Sequence, residues 1–342
     1  MAARVALRYS QPMQAILAVT FPFFALVLLG YLAVQRGYLP ESAIPGLNGF
    51  VLFFALPCML FRFGASMPFA QLIDPVLIAI WGGGAALMVL FTIAITLRLR
   101  PDGPGVSMKD AAFGALVAAF PNSGFMGFPL LIGLLGEKTA GPLIGCILLD
   151  IVFTSSLCLA LAQLRPASET ATQHGVLAPF GRALRGALSN PLPWAIALGA
   201  VVAATSLPLP GPVKEIVRML GDSATPVALF TIGAVLWRAQ QHAHSRTPLR
   251  EFLPVALVKL FVHPLLVLSG GVVANAAGAT VSPFALTVLV LNAALPSASN
   301  VAILAERYGA DNGRVTRIIM VSTALAFVSF SAIAWVFGVR KD

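Results

Sequence analysis

The sequence predicts an all-α membrane protein with ten transmembrane helices, built as two inverted five-helix repeats whose fourth and ninth helices are broken. Three observations lead there. Of its 342 residues, 58% are apolar and only 10% are charged, against roughly 25% charged in a soluble domain. Apolar runs long enough to cross a bilayer, which takes about 20 residues each, recur from end to end. Two short motifs also repeat, in the same order and at nearly the same offset.

The runs lie near residues 14–35, 44–66, 72–98, 110–135 and 141–164, then 190–207, 213–237, 252–277, 282–305 and 315–338. The first is longer than a signal-peptide core and no small-residue cleavage site follows it, so it is expected to remain as a helix. The one long polar stretch, from Arg165 to Asn190, reads as a linker. Residues 1–164 then form the first repeat, 165–189 a cytoplasmic linker and 190–342 the second repeat. In the second and seventh helices "ALPCMLFRFG" (Ala55 to Gly64) matches "ATPVALFTIG" (Ala224 to Gly233); in the fourth and ninth, "AAFPNS" (Ala118 to Ser123) matches "AALPSA" (Ala293 to Ala298). The offsets are 169 and 175 residues. A five-helix unit is odd, so its second copy enters the membrane inverted.

The net charge of +9 does not point to nucleic acid, because the basic residues are scattered at helix ends and form no patch. Thirteen follow odd-numbered helices: Arg36, Arg98, Arg100, Lys109, Arg165, Arg182, Arg185, Arg238, Arg246, Arg250, Arg307, Arg314 and Arg317. Seven lie on the other side: Arg4, Arg8, Lys138, Lys214, Arg218, Arg340 and Lys341. The positive-inside rule then places both termini in the periplasm of a bacterial inner membrane. Cys58, Cys146 and Cys158 have no metal-ligand spacing and read as packing residues. The triplet Gly82 to Gly84 reads as close helix packing. No nucleophile elbow, phosphate loop, zinc spacing or paired carboxylate occurs, so an enzyme, a cofactor and a metal are not expected.

Pro121 and Pro296 are the most informative positions. A mid-helix proline removes a backbone hydrogen bond, and such a break survives in a bilayer only where protein or a hydrated cavity satisfies the freed groups. Asn122, Ser123 and Gly124 follow one proline; Ser297, Ser299 and Asn300 follow the other. Two breaks in corresponding positions point to a binding site at the midplane. Beyond each break a half-helix begins, and its unpaired N–H groups favour an anion. Four ionisable residues also fall within the apolar runs: Arg62, Asp150, Lys259 and His263. Asp150 is a candidate cation ligand or proton carrier, or else the ion-pair partner of Arg62 or Lys259. Lys259 and His263 share a helical face four residues apart; they either contact substrate or snorkel to an interface. His263 is also placed to cap backbone groups freed by Pro264.

Taken together, "FPNSGFMGFPLLIGLLGE", "ALPSASNVAILAERYG", "LLGYLAVQRGYLP", "FALPCMLFR" and "NPLPWAIALG" resemble the auxin efflux carrier family over nearly the whole chain. The resemblance implies crossed, proline-broken fourth and ninth helices that hold the substrate. It also implies a scaffold and a transport domain, in an arrangement like that of sodium–proton antiporters and bile-acid symporters. Plant members export the carboxylate auxin, and bacterial members are associated with malate, malonate and similar acids. By motif, Pro121 and Asn122 match the first crossover, and Asn292 and Pro296 fall in the second. Asp150 stands where plant carriers tend to have an amide, and the long cytoplasmic loop of many plant members is missing. The expectation is a secondary transporter of a small organic anion working by alternating access. Alternatives are an ion-coupled symporter of another substrate class, a channel, and a non-transporting sensor or assembly subunit. Expected partners are the anion and the bilayer, with H+ or Na+ as a candidate coupling ion and a homodimer as a candidate assembly.

Overall fold

Inside hydrocarbon a backbone has no water to bond to, so apolar runs become helices that satisfy their own peptide groups. The computed structural model of the chain describes residues 2–66, 74–98, 106–163, 185, 188–206, 208–241 and 247–339, with side chains at Gln14 and from Ile16 onward. Residues 165–184 of the expected linker, with Arg165 and Arg182, lie outside the described residues. So do Arg100, Arg246, Arg340 and Lys341, and the side chains of Arg4 and Arg8.

The chain runs through α1 (Ala2–Gln35), α2 (Glu41–Ser66), α3 (Pro75–Arg98), α4 (Met108–Ala119), α5 (Ser123–Leu135) and α6 (Glu137–Ala162). It continues through α7 (Pro191–Thr205), α8 (Gly211–Gln241), α9 (Leu249–Ala276), α10 (Pro283–Ala293), α11 (Asn300–Arg307) and α12 (Asn312–Val336). Among the described residues seven helices are long and apolar enough to cross a membrane: α1 (over Ile16–Gln35), α2, α3, α6, α8, α9 and α12. Three shorter apolar helices, α5, α7 and α10, lie between them. The described residues are therefore helices and their connections, and the protein is a multi-pass membrane protein.

The expected breaks are present: the run at 110–135 is split into α4 and α5, and the one at 282–305 into α10 and α11. Each split falls at its proline. Four helices also carry a π-helical turn, at Val51–Ala55, Ser123–Gly127, Asp150–Thr154 and Val258–Val262. A π turn inserts one residue into the helical ladder and re-aims the side chains around it. Two of these turns contain Asp150 and Lys259.

One group of helices pairs α1 with α8 and α2 with α7, and α2 also packs on α8. In the other, α3 lies against α4, α6 and α9, and α9 against α10 and α12. Glycine sets the closest approaches of the first group. A Cβ on Gly233 of α8 would overlap the Val27 carbonyl of α1, and one on Gly30 of α1 the Phe230 carbonyl of α8. Gly64 of α2 and Gly199 of α7 meet in the same way, against the Ile196 and Phe61 carbonyls. Gly64 and Gly233 are the equivalent glycines of the repeated motif, so the two contacts are made at matched positions. The Gly82 to Gly84 triplet, expected to pack closely, does so less tightly: Gly82 approaches the Leu149 side chain and Gly84 the Val267 side chain, while Gly83 faces open space.

Arg314 corrects a sequence reading. Counted there among the loop charges, it lies in the first turn of α12 with only 3% of its surface exposed. Its guanidinium donates to the Glu251 carbonyl of α9 (2.9 Å), the Asp110 carbonyl of α4 (3.2 Å) and the Thr96 hydroxyl of α3 (3.0 Å). A planar fork with five donors suits this task, because it can tie three helices to a fourth at once.

The glycine contacts give a paired test. Gly233→Ala forces the α1–α8 backbones apart and should destabilise by about 1–3 kcal/mol. Gly83→Ala meets nothing and should stabilise by about 0.5–1 kcal/mol through helix propensity. Melting temperatures of the detergent-solubilised variants should therefore move in opposite directions; equal shifts would contradict the packing described.

Candidate functional site

At Phe120 the helical ladder of α4 stops, because Pro121 has no N–H and its ring clashes with the preceding turn. At Ala294 the ladder of α10 stops in the same way ahead of Pro296. The two breaks meet. An isolated antiparallel bridge joins Pro121 to Ser297: the Asn122 N–H donates to the Pro296 carbonyl (2.9 Å), and the Ala298 N–H to the Phe120 carbonyl (3.0 Å). Each broken helix thus supplies the partner the other lost. The Ser297 N–H donates to the Ser322 hydroxyl of α12 (3.2 Å), and the Asn122 carbonyl accepts from Met126 and Gly127 (3.0 and 2.9 Å), starting α5.

Around this bridge the polar side chains are buried, and several are unsatisfied. Asn122, Ser123, Asn292 and Ser297 are 4%, 3%, 0% and 1% exposed. The Ser123 and Ser297 hydroxyls and both polar atoms of the Asn292 amide have no hydrogen-bond partner. Asn292 lies against Gly127, where a Cβ would stand 3.1 Å from its Oδ1. A buried, unpartnered polar group costs roughly 1–3 kcal/mol, so a cluster of them calls for a reason. Two half-helices, α5 and α11, start at the breaks. The Ser123 and Met126 N–H groups bond the Pro121 and Asn122 carbonyls, and the Val301 and Ala302 N–H groups the Ala298 and Ser299 carbonyls. Each helix start carries the positive end of its dipole. The chemistry on offer is neutral donors plus two positive helix ends, which suits an anion. Of the sequence-selected residues, Pro121, Asn122, Ser123, Pro296 and Ser297 come together here with Asn292 beside them. Asn300 is instead exposed at the start of α11.

A second polar cluster lies behind the α10 break. Lys259 of α9 is fully buried; its ammonium donates to the Ala293 carbonyl at the end of α10 (2.7 Å) and sits 3.2 Å from His263 Nδ1. A cation on the last carbonyls of a helix is favourably placed against the helix dipole. Snorkelling is thus ruled out for this lysine. His263, also fully buried, stacks obliquely on Trp81 at 5.4 Å between ring centroids, and its Nε2 has no partner. Asp150 of α6 is 1% exposed and accepts on Oδ1 from Trp81 Nε1 (3.0 Å) and the Thr154 hydroxyl (2.9 Å), while Oδ2 has no partner.

The suggested Arg62–Asp150 pair is not formed. Arg62 is exposed at the end of α2 and pairs with Asp222 of α8 at 2.6 Å, beside an Arg218–Glu215 and Arg218–Asp222 network. Sequence reading missed this partner because Asp222 lies in a mixed-charge half of α8 whose place at a helix–helix seam only the fold reveals. It also missed the cavity of about 700 Å³ bounded by Asn48 and Phe53 of α2, Arg238 of α8, Ile303 of α11 and Asn312 of α12. Its walls join segments far apart in the chain, and no local pattern marks it.

A multi-pass helical membrane protein whose two proline-broken helices bond to each other inside the bundle belongs to the transport proteins. The chain is a member of the membrane transport protein family, the family of the auxin efflux carriers, whose model matches residues 15–334. It is 29% identical over 325 residues to the "Putative malonate transporter" of Rhizobium meliloti, covering 94% of this chain and 96% of the relative. It is 26% identical to the uncharacterized transporter YfdV of Escherichia coli K12 over 327 residues, covering 93% and 96%. It is also 21% identical to auxin efflux carrier component 8 of Arabidopsis thaliana over 338 residues, covering 86% and 89%.

The second cluster yields a stability test. Lys259→Met strands the Ala293 carbonyl and leaves the Asp150 carboxylate without its facing cation, and should cost about 3–5 kcal/mol. Asp150→Asn added to it should recover part of that loss, a coupling on the order of 0.5–3 kcal/mol. Strictly additive losses in denaturant unfolding would show that the two charges do not interact.

Proposed function

We propose that the protein is a secondary transporter that moves a small carboxylate of the malonate or auxin class across the bacterial inner membrane by alternating access. The observation that carries the proposal is the pair of buried serine hydroxyls and the buried asparagine amide without partners, next to two half-helix starts at the paired breaks. These groups are paired if a carboxylate lies between the helix ends, with Asn122, Ser123, Asn292 and Ser297 as donors and Pro121 and Pro296 holding the backbone open. The names of the malonate and auxin relatives support the substrate class.

In this reading the molecule has ten crossings in two inverted repeats, 1–164 and 190–342, joined by a cytoplasmic linker at 165–189. The α4–α5 and α10–α11 pairs count as the fourth and ninth crossings, and both termini face the periplasm. The large cavity touches the start of α2, the end of α8 and the start of α12, ends that this topology puts on the cytoplasmic side. The paired breaks themselves, whose polar side chains are buried and do not line this cavity, are closed off from it. The helices α1, α2, α7 and α8, locked by glycine contacts, act as the scaffold. The group tied together by Arg314 acts as the moving part.

Because Ser123 and Ser297 have no protein partner to lose, removing their hydroxyls should weaken substrate binding without weakening the fold. Ser123→Ala and Ser297→Ala should each raise the Kd for malonate by roughly 10- to 150-fold, the loss of one hydrogen bond to a charged group, with unchanged melting temperature. Calorimetric titration of the purified variants decides it. Parental affinity in both would remove the substrate from the breaks.

A further inference from the structure

Asp150 has an approach of its own. A narrow cleft between the start of α3 and the start of α6 is lined by Asp74, Leu77, Ile78 and Trp81 on one side and Gly141, Pro142, Gly145 and Cys146 on the other. Its volume is about 10 Å³, the space of a single water. It runs inward from exposed Asp74 to Trp81 and Cys146. Trp81 bonds Oδ1 of Asp150, and Cys146 lies one helical turn before Asp150 on α6. The cleft thus ends beside a buried carboxylate that keeps one oxygen unpartnered. It opens at the far end of α2 from the large cavity, because α3 follows the end of α2 whereas the cavity touches its start.

Resting on the transport reading above, we propose that Asp150 is a proton-binding site loaded through this α3–α6 cleft, on the membrane face opposite the large cavity beside Arg238, and that its protonation raises the affinity of the paired breaks for a carboxylate. The groups facing Asp150 are Trp81 from α3, Cys146, Thr154 and Cys158 from its own helix, and Lys259 from α9, with His263 next to Lys259 and Asn292 of α10 next to Cys146. Lys259 is the cation among them. A proton suits this place better than sodium: the cleft admits one water, and the Lys259 ammonium, bonded to the Ala293 carbonyl, already supplies a positive charge facing Asp150. Loading forms one O–H bond at Oδ2 with a proton delivered from the aqueous face, and no other bond changes. With Asp150 ionised, its charge offsets that of Lys259. With Asp150 protonated, the lysine charge at the end of α10 is uncompensated, directly behind the break, and attracts the anion. Proton and carboxylate therefore bind cooperatively, and by linkage each raises the affinity of the other equally.

The sign is fixed by this arrangement. Raising the pH ionises Asp150, removes the excess positive charge and lowers malonate affinity, on the order of 5- to 150-fold for couplings of ordinary size. Asp150→Asn keeps the neutral form at every pH, so its malonate affinity should stay high and flat across neutrality.

The test uses the full-length protein in oriented proteoliposomes, with two readouts. The first needs no substrate: after an acid jump on the cleft side, infrared difference spectra should show a protonated carboxyl band that is absent in Asp150→Asn and slowed at least tenfold in Gly145→Leu and in Ile78→Trp, which fill the cleft. The second is malonate affinity against pH, in the presence and absence of sodium. A band that appears equally fast in both cleft-filling variants, or that survives in Asp150→Asn, overturns the proton site. So does a pH-independent malonate affinity, or one that follows sodium, in the parental protein. If the band behaves as described but malonate does not bind at any pH, the carboxylate-transport reading fails while the proton site stands.

Discussion

Everything in this molecule is arranged around two hydrogen bonds between peptide groups that no helix can serve. Pro121 and Pro296 each end a helix in the interior of the protein, where a stranded N–H or C=O costs several kcal/mol in hydrocarbon. The bridge from Asn122 to Pro296 and from Ala298 to Phe120 satisfies those groups by joining the two breaks to each other. Because each break supplies the other, neither can be moved alone. The price is that two half-helices must begin beside the bridge, leaving positive ends and unpartnered hydroxyls in a buried place. That unsatisfied polarity is what makes the place chemically useful.

The surrounding packing serves the same constraint. Ser322 of α12 takes the Ser297 N–H, and Lys259 takes the last carbonyl of α10, so the irregular backbone of this break is held from two further helices. Arg314 fastens α3, α4 and α9 to α12 at one end. Glycine pairs bring α1 onto α8 and α2 onto α7 at backbone contact. Such contacts suit a membrane interior, where helix association gains nothing from the hydrophobic effect and depends on close packing and polar bonds. Two internally well-fastened groups of helices are what a rigid-body rearrangement requires.

The sequence was legible where a residue type has only one physical excuse. A proline in mid-membrane, twice, at matched positions, could be read without coordinates, and so could the polar residues just after it. Helix positions followed from apolar run length, and family membership from the motifs around the prolines. Other features were not legible, because they depend on which helices become neighbours. Asn300 was read with Ser297 as a polar residue following its proline, yet it is exposed at the start of α11. Arg314 looked like one more loop charge and is a buried tie. Arg62 and Lys259 seemed similar candidates for Asp150, but Arg62 pairs with Asp222 at an exposed seam while Lys259 caps α10. The π turns that re-aim Asp150 and Lys259 carry no proline or glycine signature within them, and the large cavity is assembled from four separate helices.

The most direct measurement is an experimental structure of the protein with bromomalonate, in which bromine marks the bound acid by its anomalous signal. The account predicts a single strong peak between the Ser123 and Ser297 hydroxyls, within hydrogen-bond reach of the first turns of α5 and α11. A peak confined to the cavity beside Arg238, with the paired breaks empty, would contradict it.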